Sequence, residues 1–187
     1  KIIKINKNNK SIEIISMGHR NPQGLTIDKD TNLIYSSEHG PKGGDEINTI
    51  DTTKTIQNYG WPISSYGEHY GDKKKDNSEL YKIAPLFKSH KDYGFIEPTK
   101  NYTPSIGISE LILFDMLNQK ILLASSLGNN VSEGDMSLHI YFFDKENLKK
   151  YKSITLNERI RDMLYLEKKN LIILFLESTS SIGVIKL

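Results

Sequence analysis

The chain has 187 residues, a net charge of +2, 37% hydrophobic residues and no cysteine. That is one domain's worth of sequence with enough apolar content for a core, and it excludes disulfides and thiolate metal sites. No apolar run approaches the ~18 residues of a membrane-spanning helix. The densest basic run, Lys73-Lys74-Lys75, sits beside Asp72, Asp76 and Asn77 without aromatic neighbours, so it reads as a solvated loop and not a nucleic-acid surface.

The chain opens on KIIKIN, an apolar alternation that starts at Lys1 without a Met, and so reads as a piece of a longer protein. Three segments then share one template, an apolar run closing on an acid, a polar turn and a second apolar run. They are LTID then NLIYSSE, ILFD then QKILLASS, and LYLE then NLIILFLE. Each reads as a β-hairpin, because the runs are short, rich in β-branched residues and separated by Asp, Asn and Lys. A further strand follows each: EINTID from Glu46, LHIYFFD from Leu138 and IGVIKL from Ile182. Strands recurring in units of about 40–50 residues predict an all-β fold of radial blades. The segment from 60 to 102 breaks this rhythm and reads as a long inserted loop, placed to cover a site or simply to run out over the surface.

Of 25 Lys plus Arg, only Arg20, Arg159 and Arg161 are Arg. KIIKINKNNKSIEIISMGHRNPQGLTID and LHIYFFDKENLKKYKSITLNERIRDMLYLE run in parallel as strand, polar turn, strand, Arg-containing corner and hairpin. The Arg corners occupy the same place in both, so in a radial fold they converge near the axis. There they would either hold an anion with their planar donor forks or pair locally, for example with Asp162.

The stretch SSEHGPKGGDEIN offers carbonyls at Gly40-Pro41 and acids at Glu38, Asp45 and Glu46. These are hard oxygen donors of the kind calcium takes, although a Gly-rich turn with solvated acids reads equally from the composition. His19, His39 and His69 have no spacing that suggests zinc. There is no phosphate-binding loop, dinucleotide fingerprint or nucleophile elbow.

GHRNPQGLTID, SSEHGPKGGDEINTI, NYGWP, TPSIGIS and RIRDM follow one another in order. In these motifs the chain resembles the soluble PQQ-dependent sugar dehydrogenases of the glucose/sorbosone dehydrogenase family. The resemblance implies a six-bladed β-propeller, of which this chain would supply about the last three blades, with the N-terminal half missing. It implies pyrroloquinoline quinone (PQQ) and calcium as cofactors, and oxidation of the C1 hydroxyl of an aldose to a lactone in the periplasm or a secreted setting. The partners would be a small sugar and an external electron acceptor.

Carried over by motif, the resemblance puts Arg20, Asn21, Gln23, Tyr70, Arg159 and Arg161 at the cofactor. It gives the carbonyls of Gly40 and Pro41 to a catalytic calcium, and Glu46 and Tyr59 to a second, structural one. Two departures stand out. The string SSLGNN places Gly128 where relatives carry a cofactor-contacting Lys, and the general-base His lies in the family's N-terminal half, so this chain alone should be inactive. The alternative is a non-catalytic propeller serving as an interaction module, as in hedgehog-interacting-type relatives.

Overall fold

A computed structural model describes residues 1–71, 78–128, 135–144 and 147–187. The Lys73–Lys75 run, and Asn129-Asn130 of SSLGNN, lie outside the described residues.

The strands are β1 (Ile2–Ile5), β2 (Ile12–Met17), β3 (Pro22–Ile27), β4 (Leu33–Glu38), β5 (Asp45–Asp51), β6 (Gln57–Asn58) and β7 (Lys100–Tyr102). They continue as β8 (Ile108–Met116), β9 (Gln119–Ser126), β10 (Ser137–Asp144), β11 (Asn147–Thr155), β12 (Ile160–Leu166), β13 (Leu171–Leu176) and β14 (Ser181–Lys186). The three templated hairpins are β3–β4, β8–β9 and β12–β13, and each predicted third strand is present as β5, β10 and β14.

Four sheets result, ordered β1-β2-β6, β3-β4-β5-β7, β8-β9-β10-β11 and β12-β13-β14. Every pairing between these strands is antiparallel except the short β2–β6 contact. The sheets stack face to face in chain order. Tyr35, Ile47 and Tyr102 of the second meet Ile108, Leu111, Leu122 and Tyr141 of the third. The opposite face of the third, with Ile112, Phe114, Ile121 and Leu123, meets Ile160, Met163, Ile172 and Leu174 of the fourth. That third sheet is buried on both faces, which is why ILLA in β9 is continuously apolar instead of alternating.

The first strands of successive sheets, β3, β8 and β12, lie side by side, as the inner strands of radial blades do. Their closeness requires Gly24, where a Cβ would stand 2.7 Å from the Leu111 backbone nitrogen of the next sheet. Each of these strands is bulged near its start: between Pro22 and Gly24, between Ile108 and Leu111, and between Ile160 and Asp162. Bulges of this kind re-aim the chain at a sheet's rim.

Within the segment from 60 to 102, the described residues are folded onto the second sheet. A short helix α1 (Ser78–Ile83), a 3-10 turn (Lys91–Tyr93) and β7 lie in it, and Lys42 bridges to Glu68 and Ser64 to Phe87.

Candidate functional site

The starts of β3, β8 and β12 and the ends of β4 and β9 open at one mouth, around a pocket of about 750 Å³. Arg20 and Asn21 enter it from the corner before β3, His39 to Gly43 from the turn after β4, and Tyr70 from the insertion. Gly107 and Gly128 come from the third sheet and Arg159 from the fourth.

Arg20 is held from two sides. Its Nη1 donates to the carbonyls of His39 (3.1 Å) and Gly40 (2.8 Å), and its guanidinium lies 5.3 Å from the Trp61 ring and 5.9 Å from the Tyr70 ring. Behind it, the buried Glu38 accepts the Arg20 backbone N–H at 2.6 Å through Oε2. The other oxygen of Glu38 meets His19 Nδ1 at 3.0 Å and Asn48 Nδ2 at 2.6 Å, and His19 Nε2 closes on Ser16 Oγ at 2.8 Å. Gln23 does not reach the pocket lining; its Nε2 donates to the Asn21 and Pro22 carbonyls at 3.3 Å and so braces Asn21.

The acids of SSEHGPKGGDEIN are buried, which corrects the reading of them as solvated. Asp45, fully buried, accepts from the Gly40 N–H (3.2 Å) and from the Ile106 and Ile108 N–H groups of the next sheet (3.1 and 3.0 Å). It therefore staples the pocket turn to β8 through both of its oxygens. Gly40 cannot be replaced cheaply, because a Cβ there would fall 2.1 Å from the Gly43 carbonyl oxygen. The carbonyl of Gly40 accepts from Arg20 and that of Pro41 from Tyr70 OH at 3.1 Å.

Arg159 and Arg161 share Glu177, at 3.2 Å from Arg159 Nε and 2.6 Å from Arg161 Nε. The partner is Glu177, across the strand pair, and not the neighbouring Asp162. Burial alone would raise the Glu177 carboxyl pKa, but Arg161 and then Arg159 outweigh it and hold it below its usual range. Arg159 also donates to the Leu127 carbonyl at 3.1 Å and faces the pocket, whereas Arg161 is exposed and off the lining. Gly128 supplies no cation to the pocket, yet Lys42 lines the same cavity.

Glu46 and Tyr59 lie apart from this mouth, beside a second cavity of only about 10 Å³ that also touches Arg20, Glu38, His39 and His90. Burial raises the Glu46 carboxyl pKa against the opposing influence of His90. Burial likewise lowers the His90 pKa, but the facing Glu46 carboxylate reverses that and leaves it raised. Among the described residues no three His, Asp or Glu side chains are grouped to hold a metal ion, and His19, His39 and His69 do not converge. The place of His90 had no signature in the sequence, since it belongs to no motif, and Lys42, although inside SSEHGPKGGDEINTI, was not singled out there.

The glucose/sorbosone dehydrogenase family model matches residues 3–182. Stretches of the chain are 48% identical over 58 residues to the aldose sugar dehydrogenase of Escherichia coli K12, and 44% identical over 59 residues to quinoprotein glucose dehydrogenase B of Acinetobacter calcoaceticus. Those stretches are 31% of this chain in each case, and 15% and 12% of the two relatives. The crystal structure of the soluble E. coli aldose sugar dehydrogenase, in its apo form, superposes on 98% of this chain with a TM-score of 0.71 at 24% identity. The chain spans 50% of that structure, so it corresponds to about half of such a protein. With an all-β fold of the same kind and a family match along nearly its whole length, the chain belongs to the glucose/sorbosone dehydrogenase family.

Proposed function

We propose that this chain is the cofactor-holding part of a quinone-dependent dehydrogenase that oxidises the C1 hydroxyl of aldose sugars to lactones. The observation that carries this reading is that two of the three Arg residues, Arg20 and Arg159, come from different sheets to one 750 Å³ pocket. The names of the relatives, an aldose sugar dehydrogenase and a quinoprotein glucose dehydrogenase, support the same substrate and cofactor classes. We further propose that the four sheets belong to a six-bladed propeller, and that the protein works in the periplasm or outside the cell.

The residues fit a planar tricarboxylate such as PQQ. Arg20, Arg159 and Lys42 give the pocket three cations; Arg20, whose Nη1 is engaged, presents its Nε–Nη2 edge as a fork to a carboxylate, and Arg159, whose Nε and Nη1 are engaged, presents Nη2. Asn21 adds a neutral donor and acceptor at the same mouth. Arg20 arrives already aimed, since two carbonyls and two aromatic rings hold it, so little side-chain freedom is lost on binding. The donor type also fits calcium at Gly40 and Pro41: each carbonyl oxygen accepts one hydrogen bond and keeps a second lone pair. Bound there, PQQ would supply the acceptor for the hydride leaving the sugar carbon, with calcium as the Lewis acid that polarises it.

The base that takes the hydroxyl proton is assigned to a part of the protein outside these residues. His19 is committed to Ser16 and Glu38, His90 to Tyr59, and His39 Nε2 is sealed from solvent. The test is aldose-dependent dye reduction with PQQ and calcium, comparing this chain with a longer form carrying the family's N-terminal half. Turnover by the longer form alone is expected; no turnover by either would refute the dehydrogenase reading.

A further inference from the structure

The motif resemblance assigns Glu46 and Tyr59 to a structural calcium, and the position between them is filled by a side chain. His90, from the insertion, has a side chain only 1% exposed. Its Nδ1 lies 2.8 Å from the Tyr59 carbonyl oxygen, and its Nε2 lies 3.4 Å from Glu46 Oε1, at ion-pair distance though without hydrogen-bond alignment. The ring is pinned in that place. It stacks on Tyr66 with centroids 5.4 Å apart and planes 20° from parallel. Its own backbone N–H donates to Glu97 Oε1 at 2.8 Å, and Tyr66 OH donates to Glu97 Oε2 at 2.7 Å.

Calcium asks for six to eight oxygens at about 2.3–2.6 Å. The His90 ring is seated between the two groups proposed as its ligands, with Nδ1 on the Tyr59 carbonyl and Nε2 toward Glu46 Oε1, and the void left beside it is about 10 Å³, roughly the room of one water. The imidazole therefore occupies the place that an ion joining Tyr59 to Glu46 would take.

We propose that the His90 imidazole takes the place of the second calcium. It bridges the Tyr59 carbonyl and the Glu46 carboxylate, so that the insertion is fastened to the second sheet by a side chain and not by a metal. The inference concerns this corner alone and does not depend on whether the larger pocket holds a quinone.

Thermal melting of the chain without PQQ, in calcium and in chelator, tests it. The melting temperature is expected to be the same in both, or to show a calcium-dependent rise that survives Glu46→Gln and so belongs elsewhere. A rise abolished by Glu46→Gln would overturn the proposal. His90→Gly should lower the melting temperature by roughly 10 °C, because it leaves Glu46 buried without its partner. If His90→Gly fails to fold, the wild-type comparison decides alone; an unchanged melting temperature in a folded His90→Gly variant would also overturn the proposal.

Discussion

Glu38 is 3% exposed and has three donors on its two oxygens: the Arg20 backbone, His19 and Asn48. A carboxylate so placed fixes the corner from which the Arg20 guanidinium reaches the pocket. Glu38→Gln keeps the shape but turns one acceptor into a donor facing another donor. It should cost about 1–3 kcal/mol, read as a lower midpoint in denaturant unfolding. His139 gives a second prediction at this scale. Burial first, and then the nearby Lys150, push its pKa down to about 4. Asp135 Oδ1, 3.2 Å from Nε2, does not rescue the charge, because burial pushes that carboxyl up as well. The unfolded imidazole titrates near 6.5, so as the pH falls from 6.5 toward 4 the unfolded chain takes up a proton that the fold refuses. Stability should be full above that window and fall by about 3 kcal/mol across it. His139→Gln should flatten the loss, measured as unfolding free energy against pH.

At the scale of elements, hairpins and third strands were legible because β-branched runs bounded by Asn, Asp and Lys leave few alternatives. The shared position of Arg20 and Arg159 was legible because Arg is so scarce in this chain. The exposure of Arg161 was not. Residues two apart in a regular strand share a face, but the bulge between Ile160 and Asp162 takes Arg161 out of the ladder and leaves it exposed against Glu177. Nor was His90 legible, since it meets Glu46 and Tyr59 through an irregular segment with no period to read. The pocket turn carries its own prediction. Gly40→Ala forces a Cβ against the Gly43 carbonyl, so the turn must shift and spoil the cradle formed with Arg20. PQQ affinity should fall at least tenfold while far-ultraviolet circular dichroism of the sheets stays unchanged.

At the scale of the whole molecule, the stack of sheets ends in two apolar faces. Leu164, Phe175, Ile182 and Val184 of the last sheet are each at least 50% exposed, and Ile3, Ile5 and Ile12 of the first are 47–67% exposed. Phe175 pairs with Ile182 and Ile3 lies opposite Ile14, so each set lies on one face of its sheet, and the outer edge of β14 is unpaired among the described residues. Such faces drive association. The isolated chain should self-associate in size-exclusion chromatography at micromolar concentration, and Phe175→Lys with Val184→Lys should raise the monomer fraction.

The pocket that joins these scales is tested most directly by equilibrium binding of PQQ in the presence of calcium, followed through quenching of Trp61, the sole Trp, which packs against Arg20. Saturable one-to-one binding is expected, weakened at least tenfold by Arg159→Lys or Arg20→Lys, a loss of about 1.4 kcal/mol or more, and little changed by Arg161→Lys. Absence of binding, or binding indifferent to Arg20 and Arg159, would contradict the assignment of this mouth to an anionic quinone.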